Sequence, residues 1–212
     1  MLHTETLESG TLQLLKNLES ESCLSSFCLA GGTALALYLG HRKSVDLDLF
    51  SPLEFDALDL ADFLGGKYNF RTDFLSGHTL KGTIDGVKID CITHKYPHVG
   101  EPFVEDGIRL FALEDIIVMK LSAISDNGSR LKDFIDIAYL STLFSFREML
   151  AFYSRKFPQS NAIIPLKAIT YFDDIDFEEN IVLLSDEFRW NRIAKRLSDM
   201  VKDQSRVFDS RP

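Results

Sequence analysis

The sequence predicts an α+β fold, with a mixed β-sheet and flanking helices in residues 1–110 followed by a helical bundle in residues 111–212. Runs in which apolar and polar residues alternate, the pattern of half-buried strands, are concentrated before residue 111. From Leu113 onward, apolar residues recur instead at helical spacing. We therefore expect two domains, with the helical domain packed against the first.

The first elements are separated by a pair of glycines. Leucines in residues 5–22 predict an opening helix, and the apolar run FCLA predicts a strand that ends at Gly31-Gly32. A helix is expected from Thr33 to about Leu39. The next stretch, SVDLDLF, alternates strictly between polar and apolar residues and predicts a second strand.

The remaining elements follow from similar patterns. Residues 54–64 predict a short helix that ends at Gly65-Gly66. FRTDFLS, HTLKGTI and VKIDCIT predict three strands, and the turn signal Asp85-Gly86 joins the last two as a hairpin. Five helical segments follow, with an acidic loop at residues 173–179 before the last: ALEDIIVMKLSAIS, KDFIDIAYLSTL, SFREMLAFYSRKF, NAIIPLKAITYF and FRWNRIAKRLSDMVKDQ.

Composition restricts the class of protein. Of the 212 residues, 45% are hydrophobic and 17 are phenylalanine, enough to build a sizeable core. The three cysteines are odd in number and lack CxxC spacing, which argues against a disulfide framework or a structural zinc site. No signal peptide and no apolar run of membrane-spanning length is visible, so we expect a cytoplasmic protein.

The charge pattern leaves one question open. A net charge of -9 argues against a broad nucleic-acid surface but not against a local basic groove. The stretch RWNRIAKR places Arg189, Arg192, Lys195 and Arg196 at helical spacing around Trp190. We favour a solvated helix face with the indole packed inward; the alternative is a patch that contacts RNA.

Two aspartates in the second predicted strand form a candidate metal site. Because side chains alternate along a strand, Asp46 and Asp48 project to one face, with Val45, Leu47 and Leu49 on the other. Their backbones would lie about 6.6 Å apart, close enough for both carboxylates to reach a pair of divalent ions. Oxygen ligands of this kind suit magnesium. Taken alone, such a DxD pair is a weak signal, because exposed strand faces often carry acids.

The glycine pair and a third aspartate strengthen this interpretation. Gly31-Gly32, between a strand and a helix, would let the backbone approach a phosphate, and Thr33 could cap the helix or add its hydroxyl. In VKIDCIT, Asp90 shares a strand face with Lys88 and would reach the same ions from a neighbouring strand. A cluster of three carboxylates is costly without cations, so a metal is the physical reason to gather them.

These residues together resemble the polymerase-beta-like nucleotidyltransferase superfamily, and more narrowly the AbiEii/AbiGii-type toxins of abortive-infection and toxin–antitoxin systems. The first motif of that family, a small-residue turn followed by DxD, matches Gly31-Gly32 and Asp46-Leu47-Asp48. The second, KxD, matches Lys88-Ile89-Asp90. Gly-Gly replaces the Gly-Ser of the wider superfamily, so the phosphate cradle lacks one hydroxyl unless Thr33 supplies it. The resemblance implies a nucleotidyltransferase fold for residues 1–110.

Two further motifs of the family fall in the helical half. An acid followed shortly by lysine matches Asp115 and Lys120, and KDxxD matches residues 132–136. Lys120 and Lys132 would neutralise triphosphate charge, although Lys132 and Asp136 are also spaced to pair with each other on a helix. The resemblance and the pattern together give these candidate nucleotide-binding residues: Gly31, Gly32, Thr33, Arg42, Lys88, Lys120, Arg130, Lys132, Asp133 and Asp136.

The resemblance implies a reaction that depends on magnesium and a nucleoside triphosphate. Asp46 and Asp48 would hold two Mg²⁺ ions, and Asp90 would complete one metal site and help deprotonate the acceptor hydroxyl. The amides of Gly31-Gly32 would hold the β- and γ-phosphates. The implied acceptor is RNA, with the 3′ end of tRNA as one candidate, and the implied partner is a cognate antitoxin encoded nearby.

Two alternatives remain open from the sequence. The first is nucleotidyl transfer to a small molecule or a protein hydroxyl, which the acidic net charge would suit if the acceptor were cationic. The second is a nucleotide-binding module without catalysis, against which the three carboxylates argue.

Overall fold

The computed structural model describes residues 1–184 and 187–212, which form two compact units. The first comprises residues 1–97 and 101–111, and the second residues 98–100 and 112–212 apart from the two undescribed positions. Among the helices of these described ranges, none combines the length and the hydropathy that a membrane span requires.

The first unit contains a mixed sheet of seven strands, counted over its described residues, in the order β3-β4-β5-β2-β1-β7-β6. β1 is antiparallel to β2 and parallel to β7, and β2 is parallel to β5. The predicted α+β class with a mixed sheet is therefore confirmed. The strands are β1 Cys28–Ala30, β2 Leu47–Ser51, β3 Arg71–Ser76, β4 Thr79–Ile84, β5 Val87–Thr93, β6 Phe103–Glu105 and β7 Ile108–Leu110.

The alternation of the central strands divides the sheet into a core face and an accessible face. Leu47, Leu49, Ile89 and Cys91 are fully or almost fully buried, while the aspartates between them are only half-buried. Burial raises the pKa of the Cys91 thiol to about 12, so it stays protonated at neutral pH and supplies no nucleophile. The accessible face of β2 and β5 is thus the face that carries carboxylates.

Three α-helices belong to the sheet unit as described: α1 Ser9–Glu19, α2 Gly31–Leu39 and α3 Ala57–Tyr68. The prediction that α3 ends at Gly65-Gly66 is wrong. Asp56 caps its start through the amides of Leu58 and Asp59, and the helix continues until Asn69 adopts a left-handed conformation with φ 54°. Each of the two glycines lowers the stability of a helix by about 1 kcal/mol. Tertiary packing outweighs this cost here, so the helix continues through them.

The hairpin of β6 and β7 was not predicted. Each strand has three residues, too few for an alternating pattern to be detected in the sequence. Asp106-Gly107 joins the two strands with positive φ values of 53° and 78°. β7 pairs with β1 and so continues the sheet beyond the predicted strands. The same aspartate–glycine signal that marks Asp85-Gly86 was available here.

The described part of the second unit contains five α-helices: α4 Leu113–Asp126, α5 Leu131–Leu140, α6 Phe146–Lys156, α7 Ile163–Ala168 and α8 Trp190–Lys202. All five lie where the apolar periodicity predicted them. A capping box, in which Ser145 and Glu148 bond reciprocally, starts α6. The indole of Trp190 packs edge-on against Phe134, Phe172 and Phe177, so the aromatic side chain of RWNRIAKR lies inward as predicted.

Glu19, the last residue of α1, should make stability depend on pH. Its burial raises the pKa of this carboxyl to about 7, against the opposing pull of the Arg109 guanidinium. The folded state therefore binds a proton more tightly than the unfolded state, and Glu19 disfavours folding increasingly as pH rises from about 4.5 to about 7. Urea unfolding should show that the stability of Glu19→Gln relative to wild type rises over this range and then levels. A pH-independent difference would contradict this account.

Candidate active site

The sheet register places two of the predicted carboxylates side by side. Asp48 of β2 and Asp90 of β5 are direct partners in the parallel pairing, within a ladder that runs from Leu47 with Ile89 to Ser51 with Thr93. Direct partners on neighbouring strands carry their side chains on the same face. Two acids on adjacent strands would repel each other, so this pair needs cations around it.

Gly31 lies directly against Asp48. This glycine begins α2 with φ +65°, and a Cβ atom built on it would lie 2.0 Å from Oδ2 of Asp48. The position therefore requires glycine both for its left-handed backbone and for the close approach of the carboxylate. Because the first amides of a helix lack partners within the helix, the start of α2 offers donors beside the carboxylate pair.

Thr33 and Asp46 are joined through the backbone. The Thr33 hydroxyl donates to the Asp46 carbonyl oxygen and lies 2.8 Å from the Ser44 hydroxyl. Thr33 does not cap α2, because the cap position belongs to Ala30, which makes no side-chain capping bond. Asp46 is exposed and lies one residue before β2 begins.

Lys81 is a site residue that sequence reasoning missed. Its ammonium lies 2.6 Å from Oδ2 of Asp90, from the neighbouring strand β4. The signal was present, because a two-residue turn at Asp85-Gly86 fixes the register of the hairpin and sets Lys81 opposite Asp90. Lys81 supplies a positive charge to a face that carries two carboxylates.

Arg42 and Lys88 occupy different surroundings. Arg42 is buried, and a Cβ on Gly32 would lie 2.5 Å from its Nη2, so the second glycine makes room for the guanidinium. Its Nη1 donates to the Lys43 carbonyl at 3.0 Å. Lys88 is exposed, two residues before Asp90 on the same strand face.

The carboxylates of Asp48 and Asp90 are the kind of oxygen ligand that magnesium prefers. Over the described residues, no three His, Cys, Asp or Glu side chains converge closely enough to hold a metal. Magnesium, however, commonly uses one or two carboxylates together with substrate phosphates. Asp48 and Asp90 supply that number of hard oxygen donors, beside a helix start that suits phosphate.

In the helical unit, Lys120 lies between two predicted site residues. Its ammonium is 2.6 Å from Oδ1 of Asp133 and 2.7 Å from Oδ2 of Asp136, and all three side chains are at most 5% exposed. The expected pairing of Lys132 with Asp136 does not form. Lys132 instead lies 2.8 Å from Glu179. Lys120 therefore neutralises the charge of two buried aspartates.

Two other residues that the sequence singled out in the helical unit also form ion pairs. Arg130 is exposed, with its Nε 3.6 Å from Asp133. Asp115 accepts from Lys156 at 2.6 Å and from the amides of Val99 and Gly100. Asp115 and Lys156 are both completely buried, so this acid of the third motif is held by a buried ion pair.

Comparison with known proteins decides the family. A model described as the nucleotidyl transferase AbiEii toxin of a type IV toxin–antitoxin system matches residues 13–100 and 83–210. The chain belongs to the AbiEii family. The uncharacterized protein aq_aa25 of Aquifex aeolicus (strain VF5) is 30% identical over 174 residues, covering 79% of this chain and 84% of that protein.

Solved structures agree on the fold. JHP933 from Helicobacter pylori superposes with a TM-score of 0.54 at 18% identity, covering 92% of each chain. A candidate nucleotidyltransferase from H. pylori gives a TM-score of 0.53 at 18% identity, covering 92% of this chain and 94% of its own. AbiEii membership makes this chain a nucleotidyltransferase of a toxin–antitoxin family, as the motifs predicted.

Gly31→Ala should damage activity in this AbiEii protein far more than a matched glycine change. The new methyl group would displace Asp48, and misplacement of a reacting group by about 1 Å can lower a rate about 100-fold. Gly77→Ala is the control, because Gly77 also has positive φ, at +52°, but nothing lies within 4 Å of its Cβ position. Both variants should lose about 1–3 kcal/mol of stability from the left-handed backbone, and Gly31→Ala should lose more because of its collision with Asp48. Equal activity of the two folded variants would contradict the proposed role of Gly31.

Proposed function

We propose that this chain is a magnesium- and NTP-dependent nucleotidyltransferase toxin that transfers a nucleotide to RNA, with tRNA 3′ ends as the first candidate. The observation that carries the proposal is the in-register pair of Asp48 and Asp90 beside the left-handed Gly31 at the start of α2. A carboxylate pair facing a helix start is suited to a triphosphate and its magnesium ion, because the acids hold cations and the amides hold anions.

We propose separate roles in metal binding, phosphate binding and orientation for the residues of the sheet unit. Asp48 and Asp90 would hold magnesium, and Asp46 is proposed to assist from the segment before β2. When bound, magnesium would neutralise charge on the phosphates and favour attack on the α-phosphorus. The first amides of α2 would hold the outer phosphates. Lys81, 2.6 Å from Asp90, would keep that carboxylate oriented across the sheet.

The proposed chemistry is an in-line displacement. The acceptor hydroxyl oxygen attacks the α-phosphorus of the NTP, and the bond between this phosphorus and the oxygen bridging to the β-phosphate breaks. The nucleotide remains on the acceptor and pyrophosphate leaves. Asp90 would accept the hydroxyl proton as general base. Lys88 and Arg42 remain proposed nucleotide contacts of the sheet unit. The predicted nucleotide contacts of the helical unit, Arg130, Lys132, Lys120, Asp133 and Asp136, stay predictions, and the last three are buried against one another.

Family membership supports the biological context that we propose. A type IV toxin–antitoxin family implies a cognate antitoxin, which we expect to be encoded nearby. Transfer of nucleotides to an RNA needed for growth would arrest the cell, and in phage infection such arrest would act as abortive infection.

An acceptor assay tests this proposal. The protein is incubated with magnesium, each of the four α-labelled NTPs and, in separate arms, total RNA, purified tRNA, an aminoglycoside and a protein extract. We expect label on RNA that disappears on treatment with EDTA and on replacement of Asp48 by alanine. Labelling of the aminoglycoside or of protein without labelling of RNA would overturn the RNA acceptor while preserving the transferase. Equal labelling by Asp48→Ala would overturn the catalytic assignment.

A further inference from the structure

A basic pocket lies at the end of the helical unit, outside the site described above. Its cavity has a volume of about 330 Å³ and is lined by five cationic side chains. We call it the C-terminal basic pocket, and its cations are Arg192, Lys195, Arg196, Arg206 and Arg211. Two carboxylates, Asp199 and Asp209, also line it.

The sequence of α8 places three of these cations on one face. Arg192, Lys195 and Arg196 are spaced by three and four residues, the interval that aligns side chains along a helix. Ile193 and Leu197, at intervening positions, are buried. The helix therefore directs its apolar residues into the core and its basic residues to the pocket.

Arg196 is held rigidly within the pocket wall. Its Nη1 donates to the Ser141 hydroxyl at 2.9 Å, and its Nη2 donates to the Ser210 carbonyl at 2.8 Å. Its guanidinium lies 4.1 Å from the centre of the Phe208 ring, and the guanidinium of Arg206 lies 4.5 Å from the same ring. Two arginines are thus fixed around one aromatic side chain.

The charges of the pocket are only partly balanced by the protein. Lys195 pairs with Asp199, and Lys202 lies 3.9 Å from the same carboxylate. In the part of the chain that the structure describes, neither Arg192 nor Arg206 forms an ion pair. Burial, followed by repulsion from Arg206, lowers the pKa of Arg196. Such an excess of positive charge in a chain of net charge -9 favours an anionic ligand.

We propose that the C-terminal basic pocket is a phosphate-binding site, distinct from the carboxylate pair, that takes a phosphate group of a nucleic-acid backbone or of a free nucleotide. Guanidinium groups bind phosphate through two parallel hydrogen bonds, and several arginines around a concave surface suit its tetrahedral oxygens. Phosphate binding at this pocket does not require that the sheet unit catalyse nucleotidyl transfer. If RNA is the acceptor, the pocket is one place where its backbone would bind.

Binding to three probes tests the site in the full-length chain. Fluorescence anisotropy in EDTA follows a short labelled single-stranded RNA, with ATP and pyrophosphate as competitors. The pocket variant is Arg192→Gln with Arg206→Gln, since both side chains are exposed. The matched control, Arg147→Gln with Lys167→Gln, removes two exposed charges from the same unit outside the pocket. Circular dichroism verifies that both remain folded.

The proposal expects the pocket variant to bind RNA or ATP at least about tenfold more weakly than wild type, with the control nearly unchanged. For RNA, the slope of log K against log salt should fall by about 0.7 for each lost phosphate contact. Displacement of RNA by low concentrations of ATP would identify a free nucleotide as the ligand, and resistance to ATP would identify the backbone. Equal weakening by pocket and control variants, or no binding of any probe by wild type, would overturn the site. Loss of nucleotidyl transfer in Asp48→Ala leaves this binding unaffected, so the two proposals fail separately.

Discussion

Asp48→Asn is expected to lower nucleotidyl transfer at least about 1000-fold while the protein remains folded. The substitution removes one of two in-register carboxylates and with it half of the pair that we propose as magnesium ligands. Losses of this size are typical where an electrostatic contact acts on the transition state. Single-turnover rates with saturating NTP measure the effect without interference from product release.

A matched variant and a binding measurement make this prediction specific. Asp73→Asn removes an equal charge from the exposed edge strand of the same sheet and should retain activity. Magnesium should raise the free energy of unfolding of wild type, because it binds only the folded state, and should do so much less for Asp48→Asn. Equal stabilisation of both proteins by magnesium would show that Asp48 is not a magnesium ligand, whatever the activity shows.

Lys120→Met is expected to destabilise the helical unit by about 3–5 kcal/mol, because it removes the buried cation that lies between the Asp133 and Asp136 carboxylates. Asp133 and Asp136 would then have to bind protons or draw in water to remain inside. Urea unfolding, followed by circular dichroism, measures the loss. The control is Lys132→Met, whose partner Glu179 is 26% exposed and which should lose less than about 1 kcal/mol.

A triple variant tests whether Lys120 acts as the counter-ion of the two buried aspartates. If Lys120 serves chiefly as the counter-ion of Asp133 and Asp136, Lys120→Met combined with Asp133→Asn and Asp136→Asn should recover much of the lost stability, since the unpaired charges are gone. A nearly unchanged free energy of unfolding in Lys120→Met alone would show that the buried triad contributes little.

The site could be predicted as far as local sequence patterns determine register and face. Alternation placed Asp48 and Asp90 on accessible faces, and the turn at Asp85-Gly86 determined which residue of β4 opposes Asp90. The pairing of Asp48 with Asp90 joins strands separated by α3 and a hairpin. The register between parallel strands that are so far apart in sequence depends on tertiary packing, which a local sequence pattern does not reveal.

Other features depended on burial, which the sequence does not display. The motif pattern suggested Lys120 as a triphosphate ligand, but only the structure shows its ammonium enclosed with Asp133 and Asp136. The strands β6 and β7 were too short for periodicity to detect. Gly65 and Gly66 were expected to end α3, yet the helix continues to Tyr68, and the next residue, Asn69, adopts a left-handed conformation.

The most direct test of the account follows two labels of the same triphosphate in parallel. Wild-type protein, magnesium and RNA are incubated with NTP labelled at the α-phosphate or at the γ-phosphate. We expect the α label to become attached to RNA and the γ label to be released as pyrophosphate, at equal rates. Transfer of the γ label to an acceptor, or its release as inorganic phosphate without attachment of the α label, would contradict nucleotidyl transfer at the Asp48–Asp90 site.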